Sequence, residues 1–278
     1  MLGRFRILDV LSVGGVGTVY SAHDPTLDRT VALKVLSGRG AEDPRRHRWH
    51  REAQAMALVS HPNVVPFVDV GMEDGHVFIA MELVAGGDLD RVLRRRRLSV
   101  AEIIEVFAGI ARGLQAVHDA GLLHLDFKPQ HVLIAPDTQP LLTDFGLAQP
   151  QPGRLMGTPR YRSPEQIAKR PLSVASDQFS FGVALYEALF SRHPFVHTDV
   201  ASLHAAVLEG RVVIPEDRRV PRHVRAAVLR CLQPDPADRF DSMKDVAEVL
   251  ETSGRSSAHI VAMALCAAAG LAAAAFIA

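Results

Sequence analysis

The sequence is short of cysteine and of net charge. Cys231 and Cys266 are the two cysteines in 278 residues. They have neither the clustered spacing of a metal site nor the density of a secreted disulfide framework, so the body of the chain is expected in a reducing compartment. Lysine and arginine number 31 against 31 aspartates and glutamates, a formal charge of zero. That removes the uniform basic field of a dedicated nucleic-acid binder, and no nucleic-acid partner is expected. Met1 to Val10 carries Arg4, Arg6 and Asp9 and no long apolar run, so no signal peptide is expected. Internal repeats are lacking too. With 48% hydrophobic residues there is ample material for a packed core, and the length suits one large domain or two modest ones.

One stretch lacks charge altogether. From Ile260 to Ala278 there is no charged residue; ten of the nineteen are alanine, joined by Ile260, Val261, Met263, Leu265, Leu271, Phe276 and Ile277. As a helix it would measure about 28 Å, near the roughly 30 Å of a bilayer's hydrocarbon core. A soluble helix needs a polar face, and this one is apolar all round. A C-terminal transmembrane helix is therefore expected, with a buried alanine-rich helix as the alternative. Arg255 and His259 precede it, and the positive-inside bias then keeps the globular part cytoplasmic. The expected location is the inner membrane, single-pass, the alternative being the cytoplasm.

The first eighty residues read as strands. Val10 to Ala22 holds Gly14, Gly15 and Gly17 between apolar runs, a strand, glycine turn, strand pattern. Thr30 to Leu36 alternates, with Val31, Leu33 and Val35 on one face and Ala32 and Lys34 on the other. A helix is expected after Asp43 and Pro44, with Trp49, Glu52, Ala53 and Met56 on one stripe. Glu52 would then face the interior and need a partner, for which Lys34 is the candidate. After a further strand, His76 to Val84, Gly86 and Gly87 break the chain and the character becomes helical. Helical spacing runs over Glu102 to His118, Asp177 to Phe190, Val200 to Leu208, Val224 to Leu232 and Met243 to Leu250. Two lobes follow, strand-rich then helical, joined at a glycine-containing hinge. The basic run Arg94 to Arg97 reads as a solvated face or loop.

A glycine-rich turn lets backbone N–H groups approach a polyphosphate, though alone it says little. Here it is followed in order by Lys34, Glu52, His124-Leu125-Asp126 with Lys128, Asp144-Phe145-Gly146 and Ser163-Pro164-Glu165. In this order the chain, from about Phe5 to Leu250, resembles the eukaryotic-like (Hanks-type) serine/threonine protein kinases of bacteria. The resemblance implies an α+β bilobal protein-kinase fold: a small antiparallel-sheet N-lobe with one main helix over residues 1–83, a hinge over 82–88, and a larger, mainly helical C-lobe over 89–252. A linker over 253–259 and the transmembrane helix over 260–278 would complete the chain.

It further implies transfer of the γ-phosphate of ATP to a serine or threonine hydroxyl of a protein substrate, with ATP and Mg2+ bound and Mn2+ as the alternative metal. Lys34 would hold the α and β phosphates, and Glu52 would orient Lys34. Asp144 would ligate the metal, Asp126 would accept the substrate hydroxyl's hydrogen bond, and Lys128 would neutralise charge near the γ-phosphate. Leu11, Gly14, Gly17, Val19, Ala32 and Leu133 would line the nucleotide site, with the backbone from Glu82 to Val84 facing adenine. Glu165 and Arg239 match the family's buried ion pair, and Asp177 its brace for the catalytic loop.

Three positions depart from the pattern. Ser12 stands where the first loop glycine is expected. Leu125 replaces the arginine that in many relatives grips a phosphorylated loop, and Leu147 to Met156 contains no serine, threonine or tyrosine. His131 replaces the asparagine that would ligate a second metal, and either coordinates in its place or simply packs in the loop. Against the enzyme stands a second possibility, a pseudokinase: a membrane-tethered nucleotide- or protein-binding scaffold with weak or no transfer.

Overall fold

Strand alternation builds the first third of the molecule. The computed structural model describes residues 1–14, 17–36, 46–73, 75–146, 155–213 and 217–252. Five antiparallel strands, β1 (Arg6–Val13), β2 (Gly17–Asp24), β3 (Arg29–Leu36), β4 (Phe67–Glu73) and β5 (His76–Glu82), form one sheet in the order β1-β2-β3-β5-β4. Both faces of β3 are covered, and the expected alternation decides which side chain goes where. Val31 and Leu33 pack with Phe5, Phe78 and Ala80, while Ala32 and Leu36 join the larger core on the other face. Lys34 shares that second face and is only 5% exposed. Helix α1 (Arg46–Ala57) packs on β4 and β5, burying Ala53 and Met56. The expected cap at Asp43 and Pro44, and the Trp49 side chain, lie outside the described residues.

The second lobe is helical. It holds β6 (Gly87–Asp88), α2 (Leu89–Arg95), α3 (Val100–Asp119), β7 (Val132–Ile134), β8 (Pro140–Leu142), α4 (Pro164–Ile167), α5 (Val174–Phe190), α6 (Val200–Leu208), α7 (Arg222–Cys231) and α8 over 243–252. α3 starts where Ser99 accepts from the Glu102 N–H and Glu102 reaches back to the Ser99 N–H, a reciprocal cap. Its apolar stripe, Ile103, Val106, Phe107, Ile110, Leu114 and Val117, is buried as the spacing requires. α5 is apolar nearly all round and is buried from Ala175 to Tyr186, so it forms the axis of the lobe. It begins at Val174, ahead of the expected Asp177, because Ser173 caps it. Phe181 of α5 meets Phe107 of α3 edge to face at 5.5 Å. Each aromatic so buried contributes about 1.5–3 kcal/mol.

The lobes are stitched beside the sheet: Val65 N–H donates to Leu142 O at 3.0 Å and Leu142 N–H to Asn63 O at 2.9 Å. Arg94 to Arg97 lie exposed at the end of α2, where Arg94 pairs with Asp90 and Arg96 with Glu102. Among the described residues no helix is long and apolar enough to cross a membrane; the stretch 260–278 lies outside them.

Candidate active site

The loop between α3 and β7 carries the central carboxylate, and a buried aspartate shapes it. Asp177, in the first turn of α5, accepts from the backbone N–H groups of His124 at 2.8 Å and Leu125 at 2.6 Å. His118 Nε2 reaches the same carboxylate at 2.9 Å. These bonds hold Leu125 at φ +60°, a left-handed conformation that costs a leucine about 1–2 kcal/mol. The next residue, Asp126, is thereby turned toward the cleft between the lobes. Its Oδ2 lies 3.2 Å from Lys128 Nζ, and its Oδ1 accepts from the Thr158 N–H at 2.6 Å and the Thr158 hydroxyl at 2.8 Å. Burial pushes this carboxyl up, but His131, Lys128 and Thr158 outweigh it and hold Asp126 below the ordinary aspartate value.

Opposite lies Asp144, also left-handed at φ +65°, whose Oδ1 accepts from Lys34 Nζ at 2.7 Å. Burial opposes its ionisation, yet the Lys34 ammonium and the neighbouring histidines draw its pKa down to about 2. Phe145 is buried edge to face with Phe67 at 5.8 Å, and Gly146 lies under Met56 of α1. That contact sets α1, and with it the half-buried Glu52, beside the segment that carries Asp144.

His131 ends the 3-10 turn Pro129–His131 and faces both carboxylates. Its Nε2 is 3.6 Å from Asp144 Oδ2 and its Nδ1 4.0 Å from Asp126 Oδ2, while its ring stacks on His124 at 5.6 Å. Nδ1 is buried without a hydrogen-bond partner. Burial lowers its pKa to about 4, so at neutral pH the ring is uncharged and keeps a lone pair. The ring thus packs on His124 and faces Asp144 with Nε2. Asp144 fits a hard divalent cation such as magnesium; the mixed nitrogen and oxygen pair Asp144–His131 fits softer divalent metals better.

The remaining predicted residues lie on or beside β1, β2, β3, β5 and β7. Val19 of β2 pairs with Lys34 across the sheet, and Val19, Val84 and Leu133 pack half-buried against the core that contains Ala32 and Met81. Leu11 and Glu82 are exposed at the rim. The two loop glycines differ. A Cβ on Gly17 would sit 2.2 Å from Val35 O, so the sheet itself demands glycine there, whereas one on Gly14 would meet, among the described residues, Gly17 O at 3.6 Å.

Away from the cleft, Arg239 donates to both oxygens of Glu165, at 2.9 and 3.0 Å, in a pair 0% and 2% exposed. The same guanidinium bonds the carbonyls of Gln233, Ala175 and Pro234. Not expected from the sequence are His118 on Asp177, the two bonds from Thr158 to Asp126, and Gln166 Nε2 donating to Leu125 O at 2.8 Å. The last has a local signal, since Ser163 and Gln166 are spaced as a reciprocal helix cap.

Comparison with known proteins gives this geometry a family. The model described as "Protein kinase domain" matches residues 5–251. Serine/threonine-protein kinase PknA of Mycobacterium tuberculosis is 37% identical over 257 residues, covering 86% of this chain and 59% of PknA. Serine/threonine-protein kinase pkn2 of Myxococcus xanthus is 35% identical over 270 residues, covering 89% of this chain and 32% of that one. The chain thus spans less than two thirds of the length of these curated relatives. The solved kinase domain of M. tuberculosis PknI is 27% identical with a TM-score of 0.70, covering 91% of this chain and 97% of that domain. The antiparallel-sheet lobe and the helical lobe are the two lobes of that fold, and the chain belongs to the protein kinase family, alongside the Hanks-type serine/threonine kinases of bacteria.

Proposed function

We propose that the protein is an active, ATP-dependent serine/threonine protein kinase. The observation that carries this is the pairing of Lys34 with Asp144 at 2.7 Å and of Lys128 with Asp126 at 3.2 Å, from three separate segments, with His131 lying between the two aspartates. Phosphoryl transfer asks for positioning and positive charge more than for covalent help. Lys34 supplies charge from the roof, and Glu52 on α1 orients it. Asp144 would hold the metal ion, which would supply positive charge against that of the phosphates. Asp126 binds the substrate hydroxyl: Oδ1 is taken by Thr158, so Oδ2 is the oxygen that accepts. The hydroxyl oxygen bonds to the γ-phosphorus, the bond to the β,γ-bridging oxygen breaks, ADP leaves, and the proton passes to Asp126 Oδ2. A carboxyl held below its ordinary pKa is a weak base, so it aligns the hydroxyl and receives the proton late. Lys128, bonded to Asp126 and at 2.9 Å to Thr158 Oγ1, brings positive charge to the transferred group.

Residues 1–252 form the catalytic unit in this proposal, 253–259 a linker, and 260–278 a single-pass anchor that keeps the kinase on the cytoplasmic side of the inner membrane. The uncharged tail supports this, and loss of membrane sedimentation on deleting 260–278 tests it. The pseudokinase alternative draws on one observation, His131 in the second metal position. Transfer of labelled phosphate from ATP to a generic protein substrate, in magnesium and separately in manganese, decides between them. Activity in either metal supports the enzyme; none in both supports the scaffold.

A further inference from the structure

Thr158 reaches Asp126 only if the segment before it is held in place, and that segment is irregular backbone. Residues 155–157 form neither helix nor strand, and Gly157 is at φ +74°. A Cβ there would lie 2.9 Å from Leu125 O, so the segment passes directly over the catalytic loop. The carbonyls of such a segment need donors. One side chain supplies them: Arg162 Nε donates to Met156 O at 2.8 Å and Gly157 O at 3.0 Å, and its Nη2 donates to Leu155 O at 3.2 Å. Three successive carbonyls thus converge on one guanidinium. Arg162 itself is fixed between Tyr161, whose carbonyl takes the Ser180 hydroxyl at 2.8 Å, and Ser163, the cap of α4. The clamp is therefore anchored to α5 and α4, which form the rigid floor of the lobe.

We propose that Arg162 is a positioning residue that locks residues 155–158 over Asp126 from within the chain, with no phosphate involved. The sequence lacks the parts of a phosphate-based device. Leu125 supplies no cation for a phosphate to grip, and Leu147 to Met156 offers no hydroxyl to carry one. A cation on the C-terminal side binding carbonyl dipoles does the ordering that a phosphate bound to an arginine would do. Lysine is no equivalent, because its ammonium lacks the planar fork that meets three oxygens at once. The inference rests on the kinase reading for its consequence, though not for its geometry.

The test uses the full chain with Arg162→Leu and Arg162→Lys. Expected for Arg162→Leu are at least a tenfold loss in kcat/KM for the protein substrate, unchanged affinity for a fluorescent ATP analogue, and faster amide exchange at 155–158. Arg162→Lys should recover only part of the loss. Added guanidinium at millimolar concentration should restore transfer by the leucine variant, and equal sodium chloride should not. Phosphatase treatment should leave wild-type activity unchanged. Wild-type kcat/KM and exchange in Arg162→Leu, or a loss of wild-type activity on phosphatase treatment, would overturn the proposal. Should the wild type transfer no phosphate at all, the kinase reading falls, and the exchange measurement still decides whether Arg162 holds the segment.

Discussion

Asp177→Asn is the sharpest probe of how the fold makes the site. The carboxylate is fully buried and binds three donors, Oδ2 taking His124 N–H and His118 Nε2 and Oδ1 taking Leu125 N–H. An amide has one acceptor oxygen. Placed at the Oδ2 position it keeps two donors, and its NH2 then confronts the Leu125 N–H, donor against donor. One charge-assisted bond worth about 1.5–3 kcal/mol is lost, and one buried N–H is orphaned at about 1–3 kcal/mol. The expected destabilisation is about 4 kcal/mol, and at roughly 2–4 °C per kcal/mol the melting temperature should fall by about 8–16 °C. The functional effect should outlast the thermal one. With its N–H released, Leu125 relaxes from φ +60° and swings Asp126 away from the hydroxyl site. A displacement of about 1 Å at reacting groups costs on the order of a hundredfold in rate. Thermal unfolding by circular dichroism, with transfer measured well below the transition, checks both. An asparagine variant that melts with the wild type and transfers phosphate at its rate would refute the reasoning.

Two further outcomes follow from the same geometry. Breaking the buried pair with Arg239→Ala should cost about 3–5 kcal/mol, whereas replacing both Arg239 and Glu165 by apolar residues should cost far less; a double-mutant cycle in urea measures this. Burial pushes Glu165 up, but Arg239 and Ser176 hold it below its ordinary 4.5, so its contribution is present above pH 4.5 and is lost as pH falls through the depressed value. The apolar double variant should lack that acid-side loss. For the metal site, His131→Asn should raise magnesium-dependent transfer and weaken Mn2+ binding severalfold, the latter read by electron paramagnetic resonance titration. Unchanged Mn2+ binding would show that His131 only packs.

Much of this was legible because each signal was local. The alternation in Thr30 to Leu36 placed Lys34 on the cleft side, and the stripe Ile103 to Val117 gave the buried face of α3. What periodicity cannot show is which irregular segments meet. Thr158 and Asp126 are separated by 32 residues, and His118 and Asp177 by 59, and no local pattern pairs them. Lys34 illustrates a subtler gap. Its face was legible but its described bond, to Asp144 across 110 residues, depends on how the two lobes close. Gly17 shows the reverse: read as a phosphate contact, it is already required by the approach of β3.

The central claim is that Asp126 receives a serine or threonine hydroxyl and directs phosphate onto it. Phosphoamino-acid analysis after transfer from labelled ATP, with wild type and Asp126→Asn side by side, tests it most directly. The account predicts phosphoserine and phosphothreonine without phosphotyrosine from the wild type, and a loss of at least a hundredfold in the variant. Equal labelling by both proteins, or label on tyrosine, would contradict it.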